Sequence, residues 1–260
     1  MVNVSFKLND NSTEIIQITS RPITTNLGRP SVYGSLGISV NYFLSQSDLD
    51  NSGIDQATIL EIVIPDEITH LFGGENGGTF SNCTNLRKVT FGSASKIQYL
   101  TRGCFSGCTQ LTNIVYGLLN NTIPSSITEI RGYAFEGCNS LESLTFLQNS
   151  KLAYLGIMDD SDYNIDPIGI EPIFSGYDTT SELKDITITL PYHVLQRIRF
   201  ISYDQGQEEI YCDYFGFGQK FYGATNITLV SGNINNNTLY AGNAYILDRK
   251  STRLNSSHRC

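Results

Sequence analysis

The chain has 260 residues, 40% of them hydrophobic and 11% aromatic, enough to bury a sizeable core and to exclude wholesale disorder. Its formal charge of −8 argues against nucleic acid as the main partner, because phosphate binding needs an excess of Lys and Arg. No apolar run approaches the roughly 18 residues of a membrane-spanning helix, so no membrane insertion is expected within this chain.

In chain order, residues 4–8 and 13–19 alternate apolar and polar around Asn9-Asp10-Asn11-Ser12, a hairpin signal. Residues 1–50 are expected to be an N-terminal β cap or a separate small β-domain. Residues 51–230 then carry an internal repeat, the feature to seek first in any sequence. The pattern Phe-x-x-Cys-x-x-Leu-x-x-apolar-x-aromatic starts at Phe80, Phe105 and Phe135. Its slots are filled by Cys83 and Leu86, then Cys108 and Leu111, then Cys138 and Leu141. Upstream of each copy lies apolar-x-x-apolar: Ile68 and Leu71, Ile97 and Leu100, Ile127 and Ile130. Later units degrade, with Phe174-Ser-Gly-Tyr177 holding tyrosine in the cysteine slot and residues 192–201 expected as a short helix.

These residues resemble BspA-type leucine-rich repeats, best in the stretch from Ile123-Pro124 to Cys138 and Leu141. The resemblance covers about residues 59–188 and implies a β-rich leucine-rich-repeat solenoid of the α/β horseshoe class, with irregular loops and few short helices. Each Leu-x-x-apolar-x-apolar segment predicts one short strand that cannot fold alone but stacks on its neighbours. The Phe slots are expected to pile up inside, the Cys slots to form an inward column of small apolar side chains, and Gly107, Gly137 and Gly176 to supply tight turns. A zinc site at Cys104 and Cys108 lacks the usual ligand partners, and five cysteines before residue 248 do not read as a disulfide framework.

The outward strand positions predict two rows forming a continuous exposed face: Glu61, Lys88, Asn113, Ser143 and Asp185, and Val63, Thr90, Val115, Thr145 and Thr187. Such a face is where solenoids meet partners. β-branched side chains also suit strands for their own sake. Asp160, Asp162, Asn164, Asp166 and Glu171 have the oxygen spacing of a calcium loop, although Ile165 stands where glycine normally turns the chain. Asp48-Leu-Asp50-Asn-Ser52-Gly53 is a fainter version. No cofactor is expected. His70 and His193 are the histidines before residue 248, and no nucleophile elbow, zinc-protease motif or phosphate loop occurs, so no catalysis is expected.

Residues 231–247 read as the start of a continuation. Residues 248–258 resemble an in-frame translation of a sequencing-library adapter, and 248–260 are set aside from the fold. Without Asp248, Arg249, Lys250, Arg253 and Arg259 the formal charge becomes −11. The family resemblance implies a non-catalytic interaction or adhesion module of a microbial surface protein, with a protein or a glycan as partner. An intracellular scaffold or the targeting region of a larger enzyme are the other roles the sequence allows.

Overall fold

The computed structural model describes residues 1–22, 40–73, 78–157, 173–174, 184–191, 200–204, 207–211, 224–230 and 238–242. The elements are β1 (Val2–Leu8), β2 (Thr13–Ile18), β3 (Arg21–Pro22), β4 (Val40–Ser45), α1 (Gln46–Ser52), β5 (Ile59–Ile64), β6 (Ile68–Phe72), β7 (Lys88–Phe91), β8 (Tyr99–Leu100) and β9 (Asn113–Tyr116). They continue as β10 (Thr122–Ile123), β11 (Glu129–Arg131), β12 (Ser143–Phe146), β13 (Tyr154–Ile157), β14 (Lys184–Pro191), β15 (Phe200–Asp204), β16 (Gln207–Tyr211), β17 (Ala224–Val230) and β18 (Thr238–Gly242). The fold is a β-rich solenoid with α1 as its one α-helix among the described residues, followed by a short 3-10 turn at Gln56–Thr58.

Each full repeat contributes a strand to two sheets. The front sheet runs β2-β1-β5-β7-β9, and the back sheet β13-β11-β8-β6-β4-β3. A third sheet, β10-β12-β14-β17-β18, takes up the later repeats. Successive repeat strands are parallel, as stacked copies of one module must be. The front strands form because their apolar residues alternate. Ile62, Ile64, Val89, Phe91 and Ile114 are buried, and the residues between them point outward. Val4 and Phe6 of β1 join the same core, so the hairpin is continuous with the repeats. The helix α1 starts on a capping box between Ser45 and Asp48 and stops at Gly53, φ 75°. It packs against β2 and β4 and buries Leu49.

The Phe-x-x-Cys segments form the turns that close each coil. Phe80 and Phe105 stack at 5.5 Å between ring centroids, Phe105 and Phe135 at 5.6 Å, and Phe135 and Phe174 at 5.8 Å, all within 20° of parallel. Identical slots also hydrogen-bond from coil to coil. The N–H of Phe80 donates to the Cys104 carbonyl at 2.9 Å and that of Phe105 to the Ala134 carbonyl at 2.8 Å. The Cys108 thiol donates to the Phe80 carbonyl and the Cys138 thiol to the Phe105 carbonyl, each at 3.2 Å. Cys83, Cys104, Cys108 and Cys138 are free and buried. The residue before each cysteine takes a left-handed conformation: Gly107 at φ 74°, Gly137 at 67°, and Asn82, at 61°, in the first copy. A Cβ on Gly107 would come within 2.6 Å of the Asn82 side-chain oxygen, so shape and φ both favour glycine there. Gly176 lies outside the described residues.

Two sequence expectations are corrected by the fold. The apolar-x-x-apolar half-motif contributes strands of its own: β6, β8, β11 and β13 make a second ladder where one strand per unit was expected. The helix expected over 192–201 does not reach its end, because Phe200 and Ile201 open strand β15, paired antiparallel with β16. The rest of that segment lies outside the described residues.

Candidate functional site

The front sheet sets its outward side chains in register. Glu61 stands beside Lys88 and Lys88 beside Asn113, while Val63 stands beside Thr90 and Thr90 beside Val115. The hairpin extends both rows, with Lys7 beside Glu61 and Ser5 beside Val63. Lys7 and Lys88 each place Nζ 3.1 Å from a different oxygen of the Glu61 carboxylate. Hydrogen bonds from Lys7 and then Lys88 hold that carboxyl below its ordinary pKa. The trio fixes three long side chains on a surface where ion pairs add little stability, and it leaves one uncompensated positive charge. In the second row Val63 is 48% exposed.

The expected continuous face is interrupted after β9. Tyr116 and Leu119 close a two-residue turn, with Gly117 at φ 63°, the position where a tight hairpin accepts glycine. Each backbone N–H of this pair donates to the other's carbonyl, at 2.9 and 3.0 Å. The Gly117 N–H donates to the Phe91 carbonyl at 2.9 Å. This anchored turn presents Leu118 at 98% and Leu119 at 47% exposure.

Asn121, at φ 47°, then stitches the break. Its side chain accepts from the Ile114 N–H at 3.4 Å and donates to the Ser143 hydroxyl at 3.1 Å. Its carbonyl accepts from the Thr145 N–H at 2.7 Å. Asn113 and Ser143 therefore share a row only through Asn121. Beyond the break, Thr187 pairs with Ser143 and Thr189 with Thr145. The sequence reading had Thr187 beside Thr145 and Asp185 beside Ser143, a slip of two residues. Asp185 belongs to β14 but is not the neighbour of Ser143. The same rows run on to Asn226 and Thr228 of β17.

The back sheet holds polar groups that periodicity did not single out. His70, Glu129 and Arg131 are buried at 4%, 1% and 6% exposure. The His70 ring stacks on Tyr99 at 4.6 Å and on Phe72 at 5.2 Å. Its Nδ1 lies 2.8 Å from the Thr69 hydroxyl. Burial, helped by the nearby Arg131 charge, depresses its pKa to about 4, so the ring is neutral at physiological pH. Arg131 Nε donates to Glu129 Oε1 at 2.5 Å. Burial pushes the Cys104 thiol well above its usual range, and hydrogen bonding with Cys83, reinforced by burial, does the same for Cys108, which makes both poor nucleophiles.

Asp160, Asp162, Asn164, Asp166 and Glu171 lie outside the described residues. The fainter candidate is α1 itself, where Asp48 is engaged by Arg21 at 2.7 Å and by the Ser45 hydroxyl. Among the described residues, no group of three His, Cys, Asp or Glu is placed to hold a metal, and no helix is long and apolar enough to cross a membrane.

The described fold is thus a repeat solenoid with one open strand face. Residues 47–157 match the model of the BspA type leucine rich repeat region in six copies, and this stretch is a BspA-type leucine-rich repeat region. None of the curated proteins matches the chain. Among solved structures, a leucine rich repeat protein of T. pallidum is 15% identical over 65% of this chain and 71% of its own, with a TM-score of 0.35. A leucine rich cell surface protein from Faecalibacterium prausnitzii A2-165 is 21% identical over 72% of this chain, with a TM-score of 0.34. A leucine-rich repeat protein from Bacteroides ovatus is 20% identical over 55% of this chain, with a TM-score of 0.26. This chain spans 43% and 42% of the last two.

Proposed function

We propose that this chain is a non-catalytic interaction module of a microbial surface protein, and that it binds a partner protein through the front strands. The observation behind this reading is the pairing of two outward, partly exposed rows, on β1, β5, β7 and β9, with an apolar projection at Leu118 on an anchored turn. A solvent-facing leucine on an anchored turn beside a polar sheet is a suitable anchor, because its backbone is already ordered before it is buried on a partner. The binding residues are Glu61, Val63, Lys88, Thr90, Asn113 and Val115, continued by Ser143, Thr145 and Thr187 across the break. Asp185 is left out, since its expected place beside Ser143 is taken by Thr187. Surface location and adhesion rest on the repeat family, and a glycan is the other class of ligand that the hydroxyl-rich row suits.

The test is a binding comparison on surface-protein and glycan panels between the native chain and the double variant Val63→Asp/Leu118→Asp. Both side chains face water, so the fold should survive, and a melt checks this. Loss of the bound protein with the double variant, and its retention with Lys151→Ala on another part of the surface, supports the reading. Equal binding by both variants removes the front strands from the interface, and a hit on the glycan panel alone changes the ligand class.

A further inference from the structure

Among the described residues, the first strand of the front sheet has no strand on its outer side, and α1 and β4 also contact it. β2 lies at the end of the sheet order, and β1 is its one strand neighbour among the described residues. The two pair through six consecutive positions, from Val2 with Ile18 to Lys7 with Thr13, without a bulge. Edge strands of monomeric proteins are normally blunted by Lys, Pro, a bulge or a covering loop. Residues 12–20, Ser-Thr-Glu-Ile-Ile-Gln-Ile-Thr-Ser, contain no Lys, Arg or Pro, and Glu14 is their one charge. Thr13, Glu14, Ile15 and Gln17 are all exposed, Ile15 at 53%. Ile16 and Ile18 face the core, Ile16 only partly covered. A β-branched, regular edge of this kind, with a single charge, is a template for another strand.

We propose that the open edge of β2 pairs with β2 of a second copy of this chain, antiparallel, about a two-fold axis passing through Ile15. The strand's own sequence selects this partner. In an antiparallel pair related by a two-fold axis normal to the sheet, a residue on the axis faces itself, and flanking residues meet partners on the same face. Ile15 then covers Ile15 of the second copy on the water side, removing the exposed isoleucine from solvent. Thr13 faces Gln17 of the second copy, a polar pair on that same side. Glu14 faces Ile16 of the second copy, so the two carboxylates are never opposite each other, the arrangement that would oppose pairing. The front sheets of the two copies join edge to edge into one sheet, which doubles the length of the exposed rows. The proposal is independent of what those rows bind.

The association is closed, so it stops at a dimer. Pairing by one short strand buries less than the interfaces of permanent complexes, so the dimer is expected to be concentration-dependent. Sedimentation velocity of the 260-residue chain, in a series up to about 1 mM, should show a monomer–dimer equilibrium. Ile15→Lys places two ammonium groups face to face and should raise the dissociation constant at least about tenfold. Ile15→Val should leave it within about threefold. Hydrogen exchange of the native chain should show amides of residues 13–18 gaining protection as concentration rises, a readout that holds even where Ile15→Lys unfolds the hairpin. A monomer throughout, a dimer indifferent to Ile15→Lys, open-ended growth, or no concentration-dependent protection of β2 would each overturn the proposal.

Discussion

The front and back sheets are built from the same repeats yet treat charge in opposite ways. On the front, Lys7, Glu61 and Lys88 form their ion pairs with side chains 46%, 31% and 42% exposed. On the back, Glu129 and Arg131 meet with 1% and 7% of their side chains exposed. The front sheet alternates in and out, leaving one side free for a partner. In β11 every residue is buried. The front sheet is therefore open on one side and the back sheet is covered on both sides at β11, although the repeat strands run parallel in both.

This contrast can be tested by substitution. The largest effect is expected at the column both sheets lean on. Phe105 stacks between Phe80 and Phe135, and Phe105→Ala should cost about 3–5 kcal/mol by opening a cavity, read as a lower midpoint in denaturant. Glu129→Gln, which takes the Glu129 charge away from the buried Arg131 guanidinium, should cost up to about 3 kcal/mol. Equal costs for Glu129→Gln and the front-sheet Glu61→Gln would erase the distinction between the sheets.

His70 gives the same contrast a pH signature. Its folded pKa, about 4, lies below the roughly 6.5 of an unfolded histidine. The stability this contributes is complete above pH 6.5 and is lost as pH falls toward 4, at most about 3 kcal/mol. Melts of the native chain should decline across that window, and those of His70→Phe, which keeps the ring stack, should not. Glu61 works lower. Its carboxyl is held below the ordinary value, so its contribution fades as pH falls beneath about 4.5, in both proteins alike. The smallest effect belongs to Glu61→Gln at neutral pH, under about 1 kcal/mol, with a weaker response still at high salt.

What the sequence made legible follows from these environments. Phe80, Phe105 and Phe135 were readable because identical offsets recur and the interior repeats with them. Glu61, Val63, Lys88 and Thr90 were readable as outward residues because the front strands alternate. His70, Glu129 and Arg131 were not, since a strand covered on both sides shows no period of two. The register of β14 was missed for a different reason. Ile186, Ile188 and Leu190 are all buried, so local alternation accepts either of two registers, and only packing on β12 selects one. The longer spacing from Phe105 to Phe135 announced an insertion, but not that Asn121 would bridge the break.

Hydroxyl-radical footprinting of the native chain tests the central claim most directly. Leu118, Val63 and Ile15 should be oxidised rapidly, with Phe80, Phe105, Phe135 and His70 protected until the chain unfolds. Labelling of the three phenylalanines at rates matching Leu118 would contradict a single stacked interior beneath one open strand face.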